Sequence, residues 1–368
     1  MIGHAIDPPN LADVEPDFSR PFVAERLGVI MAPSGDANEA WGVLNPAGVR
    51  AADGGMHLFP RIVAEGNFSR IGHARVRYDR GAPIGVERLG LVLEPREAYE
   101  IGPAGGGVED PRACYITALG MYVMTYTAFV PFEPRVAIAV SNDLVTWRRL
   151  GLVRYALQNG VPDLNACGNK DATMFPDVVL DPDGVPSLAI LHRPTTRIAF
   201  HHEGCDLTKP PCAEETKENV WISYIPLADA QADVSALTAI AKHETVMAPE
   251  QPWEDHKVGA GPPPVRLPYG WLQLYHAVSF PSGHPRYAMG AVILDPQRPS
   301  RVLYRTPVPI LEPSAGYERS GTVADVVFPT ATDLRTDGRL DVYYGAADRV
   351  IAVARLTIPV SLPGSEHL

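Results

Sequence analysis

The sequence predicts an all-β chain, a five-bladed β-propeller closed by an N-terminal strand, and three observations predict it. First, Pro (37) and Gly (32) together make close to a fifth of the 368 residues without a collagen period. That density suits short strands and turns and opposes a helical bundle, where an interior Pro costs roughly 3 kcal/mol. Second, one segment recurs: Val92-Leu93-Glu94-Pro95 leading through Tyr99-Glu100 to Glu109-Asp110-Pro111, and Ile310-Leu311-Glu312-Pro313 leading through Tyr317-Glu318 to Asp325. A looser copy runs from Val246-Met247-Ala248-Pro249 through Trp253-Glu254 to Gly259-Ala260-Gly261-Pro262. Third, the strands after each copy repeat as well, giving five units that open near Asn45, Asp110, Lys170, Gly259 and Asp325. A strand-only pattern of that period indicates radial blades, because one four-stranded sheet cannot bury both of its faces alone. Two stacked β-sandwiches are the alternative, and they do not predict five matched copies.

Each element follows from its local pattern. Residues 22–33 (FVAERLGVIMAP) resemble the outward runs and supply the strand that the last blade lacks. Second strands are read from MHLFPRIV at 56, MYVMTYTAF at 121, VPSLAILHRP at 185, GWLQLYHAV at 270 and RLDVYYGAAD at 339. Third strands, richer in small residues, are SRIGHARV at 69, RVAIAVS at 135, NVWISYIP at 219, YAMGAVIL at 287 and RVIAVARL at 349. Outward strands are GVERLGLVLEP at 85, TWRRLGLVRY at 146 and RVLYRTPVPILEP at 301. The wide gap between the third and fourth openings holds an insertion around residues 204–218. One domain spanning 1–368 is expected, with its core at about 22–356. Ser141-Asn142-Asp143-Leu144-Val145-Thr146-Trp147 reads as a β-turn with a packing Trp, and Gly105-Gly106-Gly107 as a flexible turn, since no Gly-Lys-Ser/Thr or helix follows.

Composition excludes several classes. The net charge of −11, from 43 acids against 32 bases, opposes nucleic-acid binding. No run reaches the ~18 apolar residues of a membrane helix. The first residues lack a basic region followed by an apolar block, so no secretory signal is expected. Cys114, Cys167, Cys205 and Cys212 form no CxxC and no disulfide framework, which suggests a reducing, cytoplasmic setting. His201-His202 with Cys205 and Cys212 lacks an ordinary zinc spacing, so no metal site is expected.

Polar residues concentrate where the blades open: Asn45, Glu109-Asp110, Lys170-Asp171, Lys257 and Asp325. First strands of a propeller line its axis, so these residues converge on one funnel. Buried charge is costly unless paired or used. Asp110 is the leading candidate for a general acid, with a carboxyl whose pKa burial would raise. An isolated Glu-Asp-Pro-Arg is ordinarily a capped turn in which the Asp pairs with Arg112; the repeat position favours the functional reading. Arg61, Arg193 and His276, near second-strand ends, join Lys170 and Lys257 as an anion pocket, although each alone reads as a solvated base. Tyr275 and Tyr287 offer hydroxyls or pack as core aromatics. Asp348 is placed to hold sugar hydroxyls or to serve a turn.

These motifs resemble glycoside hydrolase family 130, the mannoside phosphorylases and related β-mannosidases. The ordered set is NPA at 45, SRIG at 69, GVEDPR at 107, KDATMFP at 170, LHRP at 191, KVGAGPPPV at 257, LYHAV at 274, YAMGAVILD at 287, VVFPTA at 326 and VYYGAAD at 342. The resemblance implies Asp110 as catalytic acid, and Lys170, Arg193, Lys257, His276 and Tyr287 as phosphate-binding residues. It implies Asn45, Arg61, Asp325 and Asp348 as substrate-binding residues. Asp325 stands where the family often has Asn, and Asp171 follows Lys170 where some members have Asn, an acid that Lys170 would have to neutralise. The implied reaction is inverting phosphorolysis of a β-mannoside to α-mannose 1-phosphate, with inorganic phosphate as co-substrate and no cofactor or metal. An inverting hydrolase using Asp171 or Asp325 as base, and a noncatalytic glycan-binding propeller, are the alternatives. Linkage, aglycone and homo-oligomeric state are left open.

Overall fold

Short apolar runs between Gly- and Pro-rich turns become antiparallel meanders. The computed structural model describes residues 21–102, 105–130, 133–195, 218–281, 283–335 and 338–363. After β1 (Val23–Met31), a first unit contains β2 (Gly42–Arg50), β3 (Met56–Ala64), β4 (Phe68–Asp79) and β5 (Ala82–Leu93). A second contains β6 (Gly106–Ile116), β7 (Met121–Val130), β8 (Glu133–Ser141) and β9 (Arg148–Leu152). The short β10 (Arg154–Tyr155) precedes a third unit of β11 (Asn169–Met174), β12 (Val179–Leu180), β13 (Pro186–Pro194), β14 (Val220–Pro226) and β15 (Ala239–Met247). The fourth contains β16 (Lys257–Ala260), β17 (Val265–Leu267), β18 (Gly270–Ser279), β19 (Arg286–Leu294) and β20 (Val302–Arg305). The fifth contains β21 (Val327–Leu334), β22 (Leu340–Ala346) and β23 (Val350–Thr357), and β1 pairs antiparallel with β23, from Val23 opposite Thr357 to Met31 opposite Ile351. Helix is confined to short pieces such as Leu227–Ala232 between β14 and β15, which the strand pattern did not anticipate. No helix among the described residues is long and apolar enough to cross a membrane.

The chain is all-β, and its core divides into five apolar clusters, one between each pair of neighbouring units. Phe59, Ile71, Met124 and Trp147 join the first and second; Ile138, Val123, Ile190 and Ile225 the second and third; Phe175, Ile222, Trp271 and Val292 the third and fourth. Leu274, Ile293, Val342 and Leu356 join the fourth and fifth, while Val43, Leu58, Tyr343 and Val353 join the fifth back to the first. Middle strands are therefore buried on both faces. In β22 every residue is buried, Val342 and Tyr344 towards one neighbour and Tyr343 towards the other. That explains why these strands read as continuous apolar runs, whereas the edge strand β5 exposes Ile84, Leu89 and Leu91.

Gly105–Gly107 is not simply a turn. Gly106 and Gly107 begin β6 and pair in parallel with Phe68 and Ser69 of β4. A Cβ on Gly107, at φ +129°, would run into the Ser69 carbonyl oxygen, so only glycine allows this approach. The Ser141–Trp147 turn is as read: Asp143 Oδ1 accepts from the Val145 and Thr146 N–H groups, and Trp147 is buried.

The repeated Tyr/Trp-Glu segment proves to be a buried carboxylate strap. Glu318 is fully buried and accepts from the Ser314 and Ala315 N–H groups, the Tyr344 hydroxyl at 2.8 Å and Arg26 Nε at 2.8 Å. Glu100 does the same with the Arg96 and Glu97 N–H groups, Tyr126 and Arg149. Glu254 does so with the Glu250 and Gln251 N–H groups, Tyr275 and Arg305. Tyr275 is thus a structural aromatic. Glu39 carries a reduced form with Ser34 and Arg88. Each arginine lies on the outermost strand of its unit, and for the fifth unit that strand is β1. In the third unit His192 faces the bulged stretch, as Tyr126 does in the second. It joins a chain in which the Asn169 amide, His192, the Ser223 hydroxyl and His243 bond in turn, ending at the Ala156 carbonyl.

Burial pushes the Glu39, Glu100 and Glu318 carboxyls up, but hydrogen bonds from arginine, backbone N–H and hydroxyl groups outweigh it and leave all three below the ordinary value. Groups whose folded pKa is depressed stabilise the fold above their unfolded pKa, near ~4.3 for Glu, and lose that contribution as pH falls towards the folded value. Urea midpoints should therefore be steady near neutrality and fall steeply on acidification below about pH 4.5. Arg26→Met should cost about 2–4 kcal/mol, because it leaves Glu318 buried without its cation. It should also flatten the acid dependence; an unchanged urea midpoint would contradict the strap's importance.

Candidate active site

The innermost strands of the first three units carry the same irregularity. Pairing slips between Leu44 and Ala47, between Glu109 and Arg112, and between Lys170 and Thr173, so that Asn45-Pro46, Asp110-Pro111 and Asp171-Ala172 each face a single residue. Asn45, Asp110 and Asp171 adopt φ of 42°, 45° and 53°, the left-handed region that Asn and Asp tolerate best among side-chain-bearing residues. Such bulges redirect a side chain out of the alternating pattern. Space for them comes from glycine on a neighbouring strand. A Cβ on Gly345 would strike Asn45 Oδ1, and one on Gly259 would strike Asp171 Oδ2 and the His276 ring.

Asp110 is 5% exposed and densely held. Its Oδ1 accepts from Asn45 Nδ2 at 2.8 Å and from Arg61 Nη1 at 3.2 Å, while Oδ2 lies 3.8 Å from Lys170 Nζ. Arg61 also donates to Glu109 Oε1 at 2.6 Å, Ser69 Oγ at 2.9 Å and Asn67 Oδ1 at 3.1 Å. Arg112 does not pair with the Asp110 carboxylate; it donates to the Asp110 and Pro111 carbonyls and across to the Gly261 carbonyl. The expectation that burial raises the Asp110 pKa is overturned. Burial does push it up, but Arg61, Lys170, Arg112 and the Asn45 amide outweigh burial and hold the carboxyl below its ordinary value. Glu109, buried beside ionised Asp110, is instead pushed up despite Arg61. Asp348, at φ 49° in the turn after β22, is driven up to about 6 by burial, with Asp110 and Glu109 adding to it and Arg61 and Lys170 opposing.

A second cluster adjoins the first. Asp171 accepts from Arg193 Nε at 2.8 Å and Nη2 at 2.7 Å, and lies 3.3 Å from His276 Nε2. Arg193 and His276, rather than Lys170 alone, thus compensate Asp171. Burial pushes its carboxyl up, yet Arg193, His276 and Lys170 hold it well below the carboxylate range. The remaining Arg193 nitrogen, Nη1, meets the Glu218 carboxylate. His276 packs on Phe328, with ring centroids 4.2 Å apart, and burial lowers its pKa to about 4. Lys257 Nζ stands 5.7 Å from the Tyr287 ring centroid, and burial with the nearby Arg193 and Lys170 charges lowers its pKa to about 7. Tyr287 lies 6.1 Å from His276, ring to ring, and burial raises its hydroxyl pKa.

The structure therefore gathers Asn45, Arg61, Asp110 and Lys170 into one contact network and Arg193 and His276 into an adjoining one. Lys257 and Tyr287 flank the second, and Asp348 shares the field of the first. Asp325 stands apart: it precedes β21, its side chain is 40% exposed and 3.8 Å from Arg319, and its carbonyl accepts from Tyr287 N–H. Ser69, Asn67, Phe328 and Glu218 were missed. Ser69 and Phe328 lie inside recurring motifs, but Ser69 bonds to Arg61 of the neighbouring strand and Glu109 of the second unit, and Phe328 meets residues of other units, so nothing local marked them. The His201, His202, Cys205 and Cys212 grouping lies outside the described residues.

Lys257 should reveal its surroundings directly. After reductive ¹³C-methylation, one dimethyl-lysine resonance should titrate near pH 7 and be absent from Lys257→Arg. Titration only in the ordinary lysine range near ~10.4 would refute the crowding of Lys257 by Arg193 and Lys170.

The chain is 41% identical over 276 residues to the beta-1,4-mannooligosaccharide phosphorylase of Ruminococcus albus, covering 75% of this chain and 70% of that one. It is 32% identical over 254 residues to the 1,2-beta-oligomannan phosphorylase of a Thermoanaerobacter species, covering 68% of each. Among solved structures, beta-1,2-mannobiose phosphorylase from Listeria innocua, in complex with beta-1,2-mannobiose, has the same fold, with a TM-score of 0.68 at 21% identity over 92% of this chain and 97% of that one. The family model described as beta-1,4-mannooligosaccharide phosphorylase matches residues 19–202 and 213–360, and the chain belongs to that family, glycoside hydrolase family 130.

Proposed function

We propose that this protein is an inverting β-mannoside phosphorylase, built as a single five-bladed β-propeller that β1 closes. The cyclic series of five intersheet cores and the β1–β23 pairing support that architecture. The observation that carries the function is the placement of a buried, tightly oriented Asp110 beside a second cluster rich in cations, in a chain similar to curated mannoside phosphorylases.

In this reading the mannosyl unit sits against Asn45, Arg61, Asp110 and Asp348, with Asp325 at the rim. Phosphate takes its place among Lys170, Lys257 and Tyr287, and Arg193 joins them once phosphate replaces the Glu218 carboxylate on it, with His276 behind. A phosphate oxygen attacks the anomeric carbon on the face opposite the departing sugar, the glycosidic C–O bond breaks, and the leaving oxygen takes the Asp110 proton directly or through a sugar hydroxyl. The product is α-mannose 1-phosphate. Asp110 is ionised in the free site, so it must gain a proton before it can act. Phosphate beside Lys170 offsets the charge that keeps Asp110 ionised and raises its proton affinity as the nucleophile arrives. Phosphate is already anionic and needs no carboxylate base, whereas inverting hydrolysis does. Asp171, committed to Arg193 and His276, is poorly suited to be that base. Inorganic phosphate is the co-substrate, and the chemistry requires no further cofactor.

A mannoside panel assayed with and without phosphate tests the reaction. Mannose 1-phosphate should form only with phosphate; equal rates without it, with free mannose released, would establish a hydrolase. Asp110→Asn should fold normally and turn over at least ~10²-fold more slowly. Lys257→Ala should raise the phosphate KM more than the mannoside KM. Because Lys257 holds phosphate only while protonated, the wild-type phosphate KM should rise as pH passes upward through about 7. A phosphate KM flat across that range would remove Lys257 from the pocket.

A further inference from the structure

Arg112 is 1% exposed and among the largest fully buried side chains, yet among the described residues no carboxylate bonds to it directly. Its three hydrogen bonds to described residues all go to backbone carbonyls. Nη1 donates to the Asp110 oxygen at 2.9 Å and the Pro111 oxygen at 3.1 Å, and Nε donates to the Gly261 oxygen at 2.8 Å. The first two grip both residues of the bulge that presents Asp110, and the third crosses from the second unit to the fourth. Phe328 of the fifth unit lies 5.5 Å from the guanidinium carbon, ring centroid to atom. Nη2 bonds to no described protein atom. A left-handed backbone at a non-glycine residue persists only where its surroundings over-determine it. Arg112 provides that determination at Asp110, where φ is 45°.

A strut alone needs no charge. Burying a guanidinium without a contacting carboxylate is costly, and a neutral residue of similar shape would pack with less penalty. The charge does act on Asp110. The charged groups facing that carboxylate are Arg61 of β3, Lys170 of β11 and Arg112 of its own strand, against Glu109 of its own strand and Asp348 of the β22–β23 turn. Arg61 and Lys170 are in reach of substrate; Arg112 is sealed beneath and keeps its place when the site fills. Resting on the phosphorylase reading, we propose that Arg112 is a positioning residue that locks the left-handed bulge presenting Asp110 and fixes a permanent positive charge behind its carboxylate.

Arg112→Met and Arg112→Lys test this, with circular dichroism and thermal melting to establish folding. In Arg112→Met, kcat should fall about 10²-fold, the scale of a misplaced reacting group, while both KM values stay within about threefold. Removing a positive charge near an acid raises its pKa, so the alkaline limb of kcat at saturating phosphate, where Asp110 loses its proton in the filled site, should move to higher pH. Arg112→Lys keeps the charge but cannot make the three-carbonyl clamp. Its alkaline limb should stay at the wild-type position while kcat falls about 10-fold. A folded Arg112→Met with wild-type kcat, with a loss confined to KM, or with an unmoved limb would overturn the proposal. Should Arg112→Met fail to fold, Arg112→Lys decides: wild-type kcat there overturns the clamp. Products of the unaltered enzyme are identified in the same assays. Mannose in place of mannose 1-phosphate would end the phosphorylase reading, and the Arg112 comparison would still be read on mannose release.

Discussion

A buried glutamate holds the head of each of three units to its own outermost strand, and much of the architecture depends on that contact. Glu100, Glu254 and Glu318 each collect two backbone N–H groups, a tyrosine hydroxyl from the second strand and an arginine from the edge. The arginine continues to a carbonyl in the approaching loop: Arg149 to Glu94, Arg305 to Ala248, Arg26 to Glu312. Four elements distant in sequence are therefore fixed by one carboxylate whose acceptor sites are filled, the condition under which a buried charge is tolerable. In the fifth unit the arginine comes from β1, so the same chemistry ties the N-terminal strand to the far end of the chain.

The straps leave the inner strands free to be irregular. Middle strands packed on both faces admit charge only where it is paired, as Asp341 is with Arg355, so the candidate site forms where the inner strands begin. There the left-handed bulges turn Asn45, Asp110 and Asp171 out of the alternation, and Gly345 and Gly259 clear the volume that two of them occupy. The third unit lacks the glutamate and uses the Asn169–His192–Ser223–His243 chain instead, which places the residue next to Lys170 in the same buried network.

Surroundings sort the acids of the site into distinct states. Asp171 is driven down by Arg193 and His276, and Asp110 by Arg61, Lys170 and Arg112, while Glu109 and Asp348 are pushed up by burial and by the Asp110 charge. Similar carboxyl groups within one cluster thus hold protons differently, and the charges nearest each one decide the outcome. A phosphate anion entering that field changes its balance, which is why proton delivery and nucleophile binding are coupled in the proposed mechanism.

The sequence by itself determined the strand content, the five repeated units and most of the residues that meet at the site. Those properties are written in local pattern: alternation, turn residues, and a Glu-containing segment that recurs, once loosely, ahead of three of the units. It gave the Glu of the recurring Tyr/Trp-Glu pair no role, and it placed Asp325 at a unit opening alongside Asp110 although Asp325 lies before its strand. It also expected an elevated Asp110 pKa. Only the tertiary structure decided that Arg61 would hold Glu109 and Asp110, that Arg193 would be claimed by Asp171 and Glu218, and that Arg112 would reach Gly261. The reason is physical: repeat and alternation are properties of neighbouring residues. Charge pairing and proton affinity depend instead on which strands from separate units come within a few ångströms once water is excluded.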